Sequence, residues 1–496
     1  MSQPATPLPF ADESRRCRTA QMLWARTPVR ERLECVGRFR HLLVRKVDAL
    51  TAAVERDLGR PSWEVLSTDV LPLAAACEWL QRRAARLLAP RKVPGRDCPI
   101  WLVGSRDRVF HRPRGVVGNI GTWNYPIFLN GVPMIQALTA GNGILWKPSE
   151  LVAASSEVFH ALFAEAGFPA DLVIRLPATR EAGPMLAEAD IDHLLFTGSA
   201  EVGRRLAGRL GERLISSTLE LSGCDALIVL EDADLDLAVK AAWWGCTLNK
   251  GQTCMAVRRA FVHQSKYEEF LAKLRDHASP LSAAGPMHLA LPAQAKLAGE
   301  LVRDAVDAGA KLLLPAVPTN PADAAGFEPT VVRDVTPEMA IGQRASFAPI
   351  MGVMAFATDD ELLAMQGVNP YALTASIFTT DIDRADAIAA RLPTGAVTIN
   401  DLIAPGAHPA TPFGGRRASG WGSTQGVEGL MEMTTPQTVS VRKWTFRPHY
   451  ETVNGEIPAS TLLMRGTLER THSAGFGSRM KGLWKMIRGI VQRATT

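Results

Sequence analysis

An α/β fold built on mostly parallel sheet is what this sequence predicts, and two observations carry the prediction. Short apolar runs alternate with helical segments through the middle of the chain: GVVGNIG, GNGILWK, LVIRLP, HLLFTGS and DALIVL. That is the order βαβ units produce when helices cover both faces of a sheet. The 496 residues are 47% hydrophobic and 21% charged, the balance of a globular protein with room for about two or three domains.

Taken in order, the chain opens helical. From about Glu13 to Arg91, apolar residues recur three and four apart in stretches such as LECVGRFRHLLVRKVDALTAAVERDLG. From Pro99 to Phe110, PIWLVGSRDRVF is rich in strand formers and carries GSRD as a turn signal, which predicts a short hairpin. The strand and helix alternation then runs to DALIVL. After Cys254 it resumes with RRAFVH, helices over about Lys266–His277 and Ala293–Ala308, and strands near Gly352–Phe356 and Ala372–Thr379, a second α/β domain. PAVPTNPADAAG reads as a surface loop. In the closing SRMKGLWKMIRGIVQR, Met480, Leu483, Trp484, Ile487, Ile490 and Val491 form a helical stripe that leaves Lys481, Lys485, Arg488 and Arg493 outside it. This is a basic amphipathic helix weakened by Gly482 and Gly489.

Composition excludes several function classes. No apolar run approaches the roughly 18 residues that cross a bilayer, and MSQPATPLPFADESRR lacks the basic-then-apolar order of a secretory signal, so a cytoplasmic location is expected. The cysteines (Cys17, Cys35, Cys77, Cys98, Cys224, Cys246 and Cys254) form no CxxC pair or His/Cys ligand spacing. Neither a disulfide framework nor a metal site is expected. The formal charge of +5 belongs to the tail: from Thr445 onward there are 8 Lys and Arg against 3 Asp and Glu, and the body is neutral. A nucleic-acid enzyme would spread its basic surface along a groove, so no nucleic-acid partner is expected.

Candidate chemistry lies in short segments. In NKGQTC (249–254), Cys254 is framed by Gly, Gln and Thr rather than by the Val and Leu around an inert thiol. Taken singly, each segment has a plainer reading. Cys254 could be core, Asn124 in WNYP a turn former before Pro126, Glu220 in LEL a solvated strand residue, and Lys147 with Glu150 a surface pair. HLLFTGS followed by AEVGRRLAGRL sets Gly198 and Ser199 at a helix N-terminus. Backbone N–H groups there can meet a pyrophosphate, although a plain strand-to-helix turn has the same form.

Together, GNIGTWNYP (118–126), GNGILWKPSE (141–150), FTGSAEVG (196–203), LELSG (219–223) and NKGQTC, closed by PFGGRRASGWG (412–422), resemble the aldehyde dehydrogenase superfamily over about residues 13–442. Cys254 follows Glu220 by 34 residues, the separation that family uses between its glutamate base and its nucleophilic cysteine. GTWNYP, GQTC and the compact N-terminus are closer to the class 3 and fatty-aldehyde branch. The resemblance implies oxidation of an aliphatic or aromatic aldehyde to a carboxylic acid through a thiohemiacetal and a thioester on Cys254. Asn124 and the Cys254 N–H would hold the oxyanion, and Glu220 would activate the hydrolytic water. It also implies a dinucleotide site of Ile120, Trp123, Lys147, Ser149, Glu150, Gly198, Ser199, Val202, Gly203, Leu221 and Phe347. Glu150 favours NAD, with NADP as the alternative cofactor.

The implied architecture is a Rossmann-like NAD domain over 1–222, with 99–113 contributing an oligomerisation hairpin, and a catalytic domain over 223–410. Residues 411–444 would return to the NAD domain and supply an oligomerisation strand, and 445–496 would form a basic tail. The expected assembly is a homodimer or homotetramer. By analogy with extended members of the branch, 479–493 would contact the inner membrane face, or would pack on protein instead. Two departures from the family pattern stand out: Ala345 replaces the glutamate that grips the nicotinamide ribose, and Ser222 replaces a glycine. Rival readings are a coenzyme A-acylating dehydrogenase, a scaffold on the same fold, and a membrane-surface adaptor whose tail is the functional part.

Overall fold

The computed structural model describes residues 8–102, 104–282, 285–315, 326–443 and 458–494. The chain divides into one compact unit of Met1–Leu88 and Arg112–Thr435 and a second of Ala89–His111 and Pro436–Thr496.

In the first unit the expected helical opening forms the helices Ala11–Trp24, Val29–Arg45, Val47–Leu58 and Leu71–Leu87. Gly59, in the left-handed region at φ 60°, ends the third of these. The 3.6-residue pattern decides what is buried: Val36, Phe39 and Leu43 are fully enclosed, and Phe39 packs edge-on to Phe159 with ring centroids 5.8 Å apart.

The apolar runs become two sheets. One has the spatial order Gly420–Trp421, Ser216–Leu221, His193–Gly198, Val116–Ile120, Gly143–Lys147, Val173–Arg175. All its neighbours whose pairing is described are parallel except Gly420–Trp421, which sets Gly420 opposite Glu220. The chain runs outward from Val116–Ile120 and then returns to its other side at His193–Gly198, so these two strands bracket a topological switch point, where ligands enter an open α/β sheet. The other sheet runs Lys311–Leu314, Thr330–Arg333, Ile350–Phe356, Val257–His263, Asp225–Val229, Thr374–Phe378, Ala396–Ile399. Only Lys311–Leu314 is antiparallel there. Every residue of Val116–Ile120, Gly143–Lys147 and Asp225–Val229 is buried, as strands covered on both faces require.

The second unit holds a sheet ordered Arg91–Lys92, Ser105–Pro113, Thr434–Arg442 and the helices Pro458–His472 and Phe476–Ala494. One expectation is corrected here. Among the described residues of 99–113 there is no hairpin: GSRD leads into the single strand Ser105–Pro113, whose exposed Arg106 and Arg108 are one face of a period-two pattern rather than a turn. The last helix runs unbroken through Gly482 and Gly489. They form a seam in which a Cβ at Gly482 would lie 2.4 Å from the Arg470 nitrogen and one at Gly489 2.8 Å from the Leu463 nitrogen, so the two backbones touch. Residues 316–325 of PAVPTNPADAAG lie outside the described residues.

Candidate active site

The structure brings Cys254, Glu220, Asn124, Gly198, Leu221 and Phe347 to one cavity of about 570 Å³, counting its open mouth. The rest of the lining is half apolar, with Phe128, Leu129, Val132, Pro133 and Phe413, and half uncharged polar, with Thr122, Thr197, Ser222, Thr424 and Gln425.

Cys254 is carried on a loop forced out of helical geometry. Asn249 and Lys250 adopt φ values of 49° and 59° and Gly251 one of 75°. A Cβ on Gly251 would lie 2.4 Å from the Ala348 carbonyl carbon, so only glycine lets the two backbones approach this closely. Arg258, buried on the strand Val257–His263, fastens the same approach by donating to the carbonyls of Gly251 and Ala348. Cys254 is half-buried in the turn just before the strand Val257–His263, its carbonyl against Gly223. Burial, with the negative neighbours Asp225 and Glu220 adding to it, pushes the thiol up to about 12. The resting residue is a neutral thiol.

Asn124 is oriented on both sides of its amide. Its Oδ1 accepts from Thr122 Oγ1 at 2.9 Å, and its Nδ2 donates to the Gln252 carbonyl at 3.0 Å. The amide has a second N–H for a ligand in the cavity. Glu220 is no solvated strand residue: it is buried, and neither carboxylate oxygen has a hydrogen-bond partner. Desolvation raises its carboxyl well above the ordinary range. A buried, unpartnered carboxyl beside a half-buried thiol is costly for folding and stands where it can exchange a proton with a molecule in the cavity.

The expected dinucleotide residues flank the switch point. Ser199 caps the helix Ala200–Glu212, its Oγ accepting from the Val202 N–H at 3.3 Å, and Val202 stands exposed on the first turn. Gly203 allows that helix to lie on Leu221, which a Cβ would meet at 2.6 Å. Ile120 pairs with Lys147 at the strand ends. The Ser149 hydroxyl accepts from the Leu151 N–H at 3.3 Å, and Lys147 Nζ lies 3.5 Å from Glu150 Oε2. The ring of Trp123 lies 6.0 Å from that of Phe347. A helix N-terminus for a pyrophosphate, a Lys–Glu pair for a ribose and an exposed aliphatic platform fit a nicotinamide dinucleotide.

Sequence reasoning missed Arg180, whose Nε donates to Glu150 at 2.8 Å. Although burial opposes it, Arg180 and Lys147 hold Glu150 below the usual carboxylate range. Arg60 and Asp69 were also missed, because buried charges many residues from the motifs give no local pattern, and so were Tyr125, Gln252 and Arg258, which lie in or beside the motifs but whose partners are set by tertiary contact. Arg258, inside the quoted RR pair, had a signal: two arginines opening a buried strand need acceptors.

The aldehyde dehydrogenase family profile matches residues 11–439. The 4,4'-diapolycopene aldehyde oxidase of a Methylomonas species is 33% identical over 424 residues, covering 84% of this chain and 79% of that protein. The crystal structure of a Mycobacterium tuberculosis aldehyde dehydrogenase complexed with NAD+ superposes with a TM-score of 0.78 at 28% identity, covering 85% of this chain and 88% of that one. An E. coli NADP-dependent enzyme superposes with a TM-score of 0.79 at 25% identity, covering 87% and 90%.

Proposed function

Since the chain belongs to the aldehyde dehydrogenase family and oxidises aldehydes with NAD or NADP, we propose that Cys254 is its nucleophile, Asn124 its oxyanion donor and Glu220 its hydrolytic base. The carrying observation is that these three residues, from three separate segments, line one cavity. The Cys254 thiol gives its proton to water, the sulfur then attacks the aldehyde carbon, and the carbonyl π pair moves to oxygen beside the Asn124 amide and the Cys254 N–H. The bound dinucleotide supplies the hydride acceptor. Glu220 then takes a proton from water, whose oxygen bonds to the thioester carbon as the C–S bond breaks and the thiolate leaves. Lys147 and Glu150 would hold the adenosine ribose. Arg180 beside Glu150 softens the bias against a 2′-phosphate, which supports use of both cofactors.

The substrate reading is an apolar aliphatic or aromatic aldehyde. Besides Glu220, no charged side chain lines the cavity among the described residues, so an aldehyde bearing its own carboxylate would be buried unpaired. The Methylomonas relative, named for a diapolycopene aldehyde, supports the same direction. Decanal and benzaldehyde are expected to show kcat/KM at least about 100-fold above succinic semialdehyde. Adding coenzyme A is expected to leave the product a free acid. Preference for the semialdehyde, or release of an acyl-CoA, contradicts the reading.

Homo-oligomer assembly is supported by Thr434–Arg442, a nine-residue strand at the edge of its sheet and mostly exposed. Contact with an anionic membrane surface is supported by the closing helices. No described helix is long and apolar enough to cross a membrane. The glycine seam points the stripe of Trp484, Ile487, Ile490 and Val491 away from the partner helix, leaving it exposed together with Met464 and Leu468. Lys481 and Arg488 flank it, matching anionic headgroups. The full chain is expected to sediment with vesicles containing phosphatidylglycerol and not with pure phosphatidylcholine, and Ile487→Glu with Val491→Glu is expected to abolish this. Absence of sedimentation overturns the reading; if the same double variant then halves the particle mass in solution, a second copy covers the face.

A further inference from the structure

Arg60 stands six decades of sequence before Asn124, yet it is among the most deeply buried side chains of the protein, at 1% exposure. Its Nη1 donates to Asp69 Oδ2 at 2.8 Å and to the Asn124 backbone carbonyl at 3.1 Å, and its Nε donates to Glu64 at 2.8 Å. Its guanidinium lies over the Tyr125 ring, 4.7 Å from the centroid, and the Tyr125 hydroxyl meets Thr253 Oγ1 at 2.6 Å, next to Cys254. Asp69 is fully buried on a π-helical turn, Leu66–Val70, that joins Ser62–Val65 to Leu71–Leu87. Such wide turns interrupt helices chiefly where a side chain must be re-aimed. The other Asp69 oxygen accepts from the N–H groups of Ile127 and Phe128, at 3.1 and 3.2 Å, where the helix Phe128–Ala140 begins.

One ion pair thus grips the segment Asn124–Phe128 at both ends. The Asn124 carbonyl takes a second donor, Asn249 Nδ2 at 3.0 Å, from the loop that carries Cys254. A buried ion pair adds little net stability over well-packed apolar groups, and geometry is its better-attested use. We infer that Arg60, clamped by Asp69, is a positioning residue for the oxyanion site, fixing the Asn124 amide relative to the Cys254 loop. This rests on the assignment of Asn124 as oxyanion donor, and the test separates the two.

The test is a cycle of wild type, Arg60→Met, Asn124→Ala and the double variant. Acylation is followed by hydrolysis of 4-nitrophenyl acetate, a cofactor-free probe of oxyanion formation on Cys254, and NAD affinity by fluorescence. Asn124→Ala is expected to slow acylation about 100-fold or more. Arg60→Met is expected to slow it about 10- to 30-fold by misplacing the donor, with NAD affinity unchanged, and the double variant is expected to be no slower than Asn124→Ala alone. Multiplying effects in the double variant, or full activity in Arg60→Met, overturns the role of Arg60 and leaves Asn124 standing; full activity in Asn124→Ala overturns both. If Arg60→Met does not fold, Asp69→Asn, which keeps an acceptor for the Ile127 and Phe128 N–H groups, replaces it in the same cycle with the same expected non-additivity.

Discussion

Cys254→Ala is expected to lower aldehyde-dependent NADH formation by at least about 10⁴-fold while leaving NAD affinity and the unfolding temperature unchanged. Among the described residues that line the cavity the sulfur is the strongest nucleophile, and its loss removes one atom from a half-buried position. Cys224 and Cys246 cannot substitute for it: both are fully enclosed, and burial pushes both thiols up, that of Cys246 to about 11. Because the Cys254 thiol is held up to about 12, its reactive thiolate is a small fraction of the protein at neutral pH. Alkylation of the cofactor-free protein at Cys254 should therefore climb roughly tenfold per pH unit through the alkaline range. Steady-state activity that survives in Cys254→Ala contradicts the assignment.

Glu220→Gln is expected to separate the two halves of the reaction. Acylation needs no general base on water, so one equivalent of NADH should form rapidly per site. Turnover should then fall by about 10²- to 10⁴-fold, the worth of a positioned base. The raised Glu220 carboxyl fixes the sign of the pH dependence. The base acts only when deprotonated, so wild-type turnover should decline on the acid side from a pH above the ordinary glutamate range, and the Gln variant should lack that limb. Because neither Glu220 oxygen accepts a hydrogen bond, the amide replaces the acid without breaking one. A variant that loses the burst together with turnover would place Glu220 in acylation instead.

What could be read from the sequence followed the range of its physics. Runs such as GVVGNIG and DALIVL became strands because a strand buried on both faces is apolar throughout, a local property. That Cys254, Glu220 and Asn124 belong together was legible through motif order and spacing, and they meet in one cavity; Ser199 was legible at a helix N-terminus through its place before AEVGRRL. What escaped was set by tertiary contact. GSRD looked like a turn because alternation of exposed arginines with half-buried residues mimics polarity at a reversal. Gly482 and Gly489 read only as weak points of the last helix because the helix that packs against them lies elsewhere in the chain. Arg60 and Arg180 find Asn124 and Glu150 only after folding, and no local periodicity announces a buried or bridging cation.

The central claim is that aldehyde carbon passes through Cys254 and leaves by the action of Glu220. Its most direct test is peptide mass spectrometry of Glu220→Gln quenched within one turnover of decanal and NAD. The expected result is a decanoyl mass on the peptide carrying Cys254 and on no other, absent when NAD is withheld. An unmodified Cys254 in a protein that has already produced its equivalent of NADH would contradict the account.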